Sequence, residues 1–279
     1  MPKFMFIPLL AFFLLAGPAA ARAEEEPGII GTILAVEGKA TVTHDGTKTA
    51  AAAKMYIYQK DLIETAAKSR MFILFIDDTQ VTLGAKAKFS VTEYVFDEEK
   101  KEGNKASYNI FDGAFSYLSG LMTKQPEPSV RISTNYGSIG VRGTWLFGGM
   151  PGHAFKVFLQ KGLIKILNGG GSTDLEPGEG TTLGEGDGPG EALPFSDAEI
   201  KELKELVKMK DWDAILKLVS QNKAQQKFLR KKFKEFMKNR GGYSLRMRSL
   251  PLDTIPPNTP FIPFGGDGGG RICCGGGGS

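Results

Sequence analysis

Apolar and β-branched residues gather in short runs along the first two thirds of the chain. The runs are Ile29 to Val36, Ala40 to Thr43, Met71 to Ile76, Val81 to Leu83, Phe89 to Phe96, Val130 to Ser133, Phe155 to Leu159 and Leu163 to Leu167. Turn formers separate them: Gly38, Asp45-Gly46, Asp77-Asp78, Gly103-Asn104, Gly137 and Asn168-Gly169-Gly170-Gly171. Short strands at this spacing, with no helical period between them, predict a mainly β fold: a sandwich, a barrel or a short solenoid. Met71 to Ile76 is apolar on both faces and predicts a central strand buried on both sides. Phe89 to Tyr94 alternates, so one of its faces is expected to meet water. The mixed charges of Asp97 to Lys105 read as an exposed hairpin or loop.

Residues 168–193 are rich in Gly, Glu, Asp and Pro and read as linker, and the linker between the β domain and the helical segment is set at 185–195. The period then changes. Ser196-Asp197-Ala198-Glu199 has the spacing of a capping box, followed by Ile200, Leu203, Leu206 and Val207 at helical intervals. A second helix is expected from about Asp211, with Trp212, Ile215, Leu216 and Val219 on its apolar face. A third, Ala224 to Arg240, sets Phe228, Leu229, Phe233, Phe236 and Met237 against Lys227, Arg230, Lys231, Lys232, Lys234, Lys238 and Arg240. The whole predicts a small C-terminal helical appendage over 196–240. The tail 241–279 has no period and is expected to be disordered.

The N-terminus changes the picture of where the chain works. Lys3 is followed by the apolar stretch Phe4 to Leu15 and by Gly17-Pro18-Ala19-Ala20-Ala21-Arg22-Ala23, small residues with the A-x-A pattern read by signal peptidase. The apolar stretch is short for a membrane-spanning helix. Residues 1–23 are therefore expected to be a cleavable signal peptide, with a periplasmic or secreted chain beginning at Glu24. The net charge of +4 says little, but its distribution says more. Residues 24–195 carry 17 basic and 22 acidic side chains, whereas residues 196–240 carry 13 and 7. The basic helix is the candidate anion surface, through Lys227, Arg230, Lys231, Lys232, Lys234 and Lys238. Nucleic acid fits poorly with export.

Candidate chemistry is sparse. The two histidines, His44 and His153, read as exposed loop residues without ligand-spaced partners, which argues against a metal site. No G-x-S-x-G elbow appears. Asp77-Asp78 resembles a carboxylate pair, but adjacent strand residues face opposite ways, so a turn role is expected. The Gly-Glu-Gly-Asp-Gly run at 184–188 lacks the ligand order of a calcium loop. Cys273 and Cys274 are the only cysteines; being adjacent in a glycine tail, they are candidates for an intermolecular disulfide. No cofactor is expected.

The β region resembles the FecR domain. Lys60-Asp61-Leu62-Ile63-Glu64-Thr65, Ser69, and Phe75-Ile76-Asp77-Asp78-Thr79-Gln80-Val81-Thr82-Leu83 resemble that family's "GD-x-I-x-T" element, "DG-T" turn and "L-x-L" strand. Gly113 occupies its "G-x-hydrophobic" position. Ile132-Ser133-Thr134 and Gly137-Ser138-Ile139-Gly140-Val141-Arg142-Gly143-Thr144 resemble its "T-P-x-G-x-x-x-V-R-G-T" run. The resemblance spans roughly Gly28 to Gly184. Asp78 replaces a glycine, Asn135 replaces a common proline, and Trp145 stands where a small or acidic residue often follows.

Physically, Asp61, Asp77 and Thr79 suit turn fixing through backbone amides, and Thr65 closes the first motif. Gly137, Gly140 and Gly143 suit positive φ or close approach. Arg142 is expected to be a paired, structural arginine rather than an anion site. The family's namesake has a cytoplasmic sigma-binding segment and a membrane helix, whereas here a signal peptide is expected to lead directly into the β region. The resemblance therefore implies a non-enzymatic protein-interaction or sensing module of the bacterial envelope, with an unknown envelope protein or polymer as partner. The alternative is a binder of anionic polymer or lipid surface through the basic helix. The residue inventory argues against a hydrolase.

Overall fold

A computed structural model describes residues 28–100, 102–125, 129–184 and 188–239. The expected signal peptide, the cysteine pair and the tail lie outside the described residues. The strands begin with β1 (Ile29–Glu37), β2 (Ala40–His44), β3 (Thr47–Ala50), β4 (Tyr56–Tyr58) and β5 (Leu62–Thr65). They continue with β6 (Arg70–Phe75), β7 (Gln80–Leu83), β8 (Lys88–Val95), β9 (Lys105–Asp112) and β10 (Phe115–Leu118). After a short 3-10 turn at Met122–Lys124 come β11 (Ser129–Thr134), β12 (Gly137–Gly149), β13 (Phe155–Asn168), β14 (Gly171–Leu175), β15 (Glu179–Leu183) and β16 (Leu193–Pro194). The helices follow as α1 (Asp197–Val207), α2 (Trp212–Gln221) and α3 (Lys223–Asn239).

All the strands join one sheet, whose main path is β3-β2-β5-β8-β9-β11-β12-β10-β7-β6-β1-β4. This twelve-strand path curls into a half-barrel. Pairing is antiparallel throughout, except that β11 runs parallel to β9. The inner face carries the main core, built from alternate strand positions such as Ile33, Ile63, Phe75, Phe89, Tyr108, Ile139 and Ile164. Burying these side chains stabilises the fold by about 2 kcal/mol each.

Strand β12 divides its pairing along its length. Its first half, Gly137–Gly140, pairs with β11, and its second half, Trp145–Gly148, pairs with β10. Along its other edge it is paired by β13. The ribbon formed by β12 and β13 breaks register between Arg142 and Trp145. Gly143 lies there with φ +63°, opposite Gly162 with φ +94°. A Cβ on Gly162 would sit 2.8 Å from the Thr144 Cα and closer still to the Gly143 carbonyl, so both glycines are needed for the bend.

The helices cover separate parts of the sheet. Phe72 and Leu74 of β6 point outward against Met209 and Ile215, while Met71, Ile73 and Phe75 point inward. The expected double burial of this strand holds. Helix α1 covers Phe147 and Phe158 with Leu203 and Val207. Helix α3 contributes Leu229 and Phe233 to the main core, with Phe233 edge-on to Tyr94 at 5.9 Å. The apolar faces differ from the helical-wheel expectation at three positions, since Trp212, Leu216 and Phe228 are exposed.

Residues 168–193 are not wholly linker, because β14 and β15 occupy much of them. Leu175 and Leu183 alternate inward and are buried, a signal diluted in the sequence by surrounding Gly and Glu. Strand β16 pairs with β15 at the sheet edge, a position that tolerates Pro194.

Helix α1 starts with the expected capping box: the Ser196 hydroxyl accepts from the Glu199 N–H, and Glu199 accepts from the Ser196 N–H. The same carboxylate takes Lys156 of β13 at 2.8 Å. The Lys156 ammonium, followed by the Ser196 donors, holds the Glu199 carboxyl down to about 2 from its usual 4.5. A depressed carboxyl adds stability that is complete above its unfolded value and is lost as pH falls through its folded value. Relative to its intrinsic rate at each pH, hydrogen exchange in α1 is therefore expected to accelerate between about pH 4.5 and pH 2. In Glu199→Gln it should already be faster at neutral pH and lose this transition. Identical exchange profiles in the two proteins would refute the linkage.

Candidate functional site

The motif residues converge on buried joints between turns. At the β6–β7 turn, Asp77 is fully buried and Asp78 takes φ +68°. The Asp77 carboxylate accepts from the Thr79 hydroxyl at 2.7 Å and from its N–H at 3.2 Å. It also accepts from the Tyr94 hydroxyl at 2.8 Å and the Met122 N–H at 3.4 Å. Its own carbonyl accepts from the Leu121 N–H at 2.6 Å. Thr79 in turn accepts from the Gly120 N–H at 3.1 Å. Burial pushes the Asp77 carboxyl above its usual 3.8, opposed by these donors. Burial likewise holds the Tyr94, Tyr108 and Tyr117 hydroxyls well above their usual range, in their neutral form.

The second joint is Asp61. It accepts from the Tyr58 N–H at 2.9 Å and lies 2.5 Å from Nδ1 of His44. Burial pushes its carboxyl up, with the Tyr58 N–H and then His44 acting against it. His44 is thus not the exposed loop residue expected from the sequence. It ends β2, packs at 4.6 Å against Tyr58 with the rings tilted by 39°, and engages Asp61, a partner 17 positions away that no local pattern announces. His153 is exposed, as expected. Thr65 donates to the Gly84 carbonyl at 2.6 Å and accepts from the Ala87 N–H at 2.8 Å. The Thr144 N–H donates to the Ser119 hydroxyl at 2.9 Å.

The remaining motif positions separate. Gly137 has φ +153° and lies against the Leu167 carbonyl, whereas Gly140 is absent from the positive-φ positions and sits within the β12 ladder. Asp78 and Lys60 keep left-handed backbone, at φ +68° and +75°, where the family motifs carry glycine. The replacements therefore leave the turn geometry intact. Arg142 corrects an expectation: it is exposed and makes no ion pair among the described residues, because the strand alternation that buries Val141 turns it outward.

The basic helix is also less of a surface than its composition suggests. Arg230 donates through Nε to the Ile76 carbonyl at 2.6 Å and pairs with Asp78 at 2.7 Å and Glu98 at 3.2 Å. It clamps α3 to the Asp77 turn and is not available to an outside anion. Lys232 pairs with Glu235 and Lys234 with Glu99. Lys227, Lys231 and Lys238 are exposed without ion pairs among the described residues.

Sequence reasoning missed four members of the Asp77 joint: Tyr94, Gly120, Leu121 and Met122. A Cβ on Gly120 would overlap the Asp77 carbonyl and the Thr79 nitrogen, and would lie 2.7 Å from the Asp78 carbonyl carbon. Chemically, this centre is sealed. Asp77 has no solvent-facing surface and its acceptor sites are occupied, so it positions turns and does not meet a substrate. Among the described residues, no three His, Cys, Asp or Glu side chains gather as a metal site, and no helix is long and apolar enough to cross a membrane.

Residues 61–165 match the family model described as FecR protein. No curated protein matches the chain. Two solved structures of a candidate anti-sigma factor from Parabacteroides distasonis ATCC 8503, at 1.65 Å and 2.50 Å, are similar to it at 12% identity and a TM-score of 0.40. Each alignment covers 50% of this chain and 62% of the other, so it spans less than two thirds of those proteins.

Proposed function

We propose that this FecR-domain chain is a non-enzymatic interaction or sensing module of the bacterial envelope, exported by its N-terminal signal peptide and acting through its surface. The FecR family is generally non-enzymatic. The observation that carries the reading is the fate of the motif carboxylates. Asp61 and Asp77 are both consumed in holding turns, with Asp77 sealed from solvent, so the chemistry of the motifs builds a scaffold. What such a scaffold offers a partner is the outer surface of its strands and loops.

A two-part experiment tests this. The purified chain is expected to begin at Glu24, read by N-terminal sequencing, and to retain an envelope protein in stoichiometric amount from solubilised envelopes. Retention of neither protein nor polymer would sink the reading. An uncut N-terminus in the cytoplasmic fraction would sink its location.

The second reading, binding of an anionic polymer or lipid surface by the basic helix, draws support from Lys227, Lys231 and Lys238 alone. Their substitution by Gln should abolish salt-sensitive binding to vesicles containing anionic lipid, if that reading holds.

A further inference from the structure

The outer face of the sheet carries an uncompensated positive cluster beyond the edge of α1. Val130, Ile132, Ile139, Val141, Ile164 and Ile166 point into the core, so the residues alternating with them point outward. On that outer face Arg131 of β11 is paired with Gly140 of β12, Arg142 with Leu163 of β13, and Trp145 with Lys161. Arg142, Trp145, Lys161 and Leu163 are exposed, Trp145 by 37% and Leu163 by 46%.

Arg131 is the telling member. It is half-buried, and its Nε is shielded from solvent without any hydrogen-bond partner. Its neighbours on the same face are small and uncharged: Ser107 and Gly140 beside it, Ser129 and Ser133 along its own strand. No carboxylate offsets it among the described residues, and burial holds its guanidinium below the usual range. Arg230 shows the contrast, since a comparable guanidinium there has two carboxylates and a carbonyl. Desolvating an arginine without an anion costs free energy, which an arriving carboxylate would offset. Lys165, opposite Gly140 on the other side, faces Asp174 across β14 and is not counted with the cluster.

The second observation is apolar. Trp145 is held by its Nε1 donating to the Ser116 hydroxyl at 3.4 Å and by a tilted contact with Phe147 at 5.7 Å, while part of the ring faces solvent. An exposed Arg and Trp flanking the Gly143 bend have the composition of interface anchors, and Leu163 adds an aliphatic neighbour to Arg142.

We propose that Arg131, Arg142, Trp145, Lys161 and Leu163 form the docking surface for an acidic segment of a partner protein. Its carboxylates are taken by the cations, and an apolar side chain of the segment by Trp145 and Leu163. The proposal deepens the interaction-module reading and rests on it. The apolar pair favours a peptide over a uniformly polar glycan.

The probe is a random peptide library displayed on phage and selected against the purified chain, followed by fluorescence polarisation with the selected synthetic peptides. Peptides carrying Asp or Glu beside an apolar residue are expected. Their affinity should fall roughly tenfold or more in Arg142→Gln and in Trp145→Ala, fall with added salt, and stay unchanged in Lys227→Gln/Lys231→Gln. Both test side chains are exposed, and equal thermal unfolding of the variants establishes that they fold. Selected peptides that bind these variants normally would overturn this surface while leaving the interaction reading in place. No enrichment over bare matrix, with no polygalacturonate binding either, would overturn both. Polygalacturonate binding lost in the same variants, without enriched peptides, would overturn the partner class.

Discussion

Asp77→Ala is expected to lower unfolding stability by about 4 kcal/mol, because it strands several buried donors at once. The Thr79 N–H, the Tyr94 hydroxyl and the Met122 N–H all aim at this carboxylate, and none of them has solvent to turn to. Each buried donor left without an acceptor costs about 1–3 kcal/mol, less whatever relaxation recovers. For a domain of this size the loss corresponds to a fall in melting temperature of roughly 8–16 °C. Urea unfolding of the two proteins measures it, and a difference below about 1 kcal/mol would refute the joint's importance.

Asp77→Asn adds a pH signature. Burial holds the folded carboxyl above its usual 3.8, so its protonation adds stability that is complete below that value and is lost as pH rises through the folded value. The advantage of the natural protein over the Asn variant should therefore widen as pH is lowered. A narrowing advantage would mean that the hydrogen bonds outweigh burial.

Gly120→Val carries the second large effect, expected at about 3 kcal/mol or more. Here the opposing atoms are main chain, the Asp77 carbonyl and the Thr79 nitrogen, which cannot rotate aside as a side-chain tip can. Accommodation requires the loop at Ser119–Met122 to lift from the 77–79 turn. That breaks the Gly120-to-Thr79 and Leu121-to-Asp77 hydrogen bonds. Both substitutions open the same joint, so the double variant should lose clearly less than the sum of the two. Strict additivity in urea unfolding would show that the two positions act separately.

Much of the architecture was legible because it is written in local patterns. The β6 run is apolar at consecutive positions, and its inward and outward residues meet different cores. The Ser196–Glu199 spacing marks the start of α1 to the residue, since capping chemistry acts within one turn. Legibility ended where partners lie far apart in sequence. His44 and Asp61, Gly120 and Asp77, and Arg230 and Ile76 meet only once the sheet has curled, and nothing near each residue announces the other. Charge misled for the same reason. The cations of α3 look like a surface when read along the helix, but Arg230 and Lys234 are answered by Asp78, Glu98 and Glu99 from the turns after β6 and β8. Arg142, read as the paired residue, is the exposed one. Strands β14 and β15 were hidden by glycine and acid content, although Leu175 and Leu183 keep the inward positions.

The bent ribbon of β12 and β13 has a mechanical consequence. One continuous pair of strands is stitched to β11 and β14 in one half and to β10 and β15 in the other. Neither half can peel away without dragging the shared hairpin through both. A pull applied at either end of the sheet is thus delivered to the Gly143–Gly162 bend. The half-barrel should rupture under force in one event, with no stretch of extension at which part of it still stands.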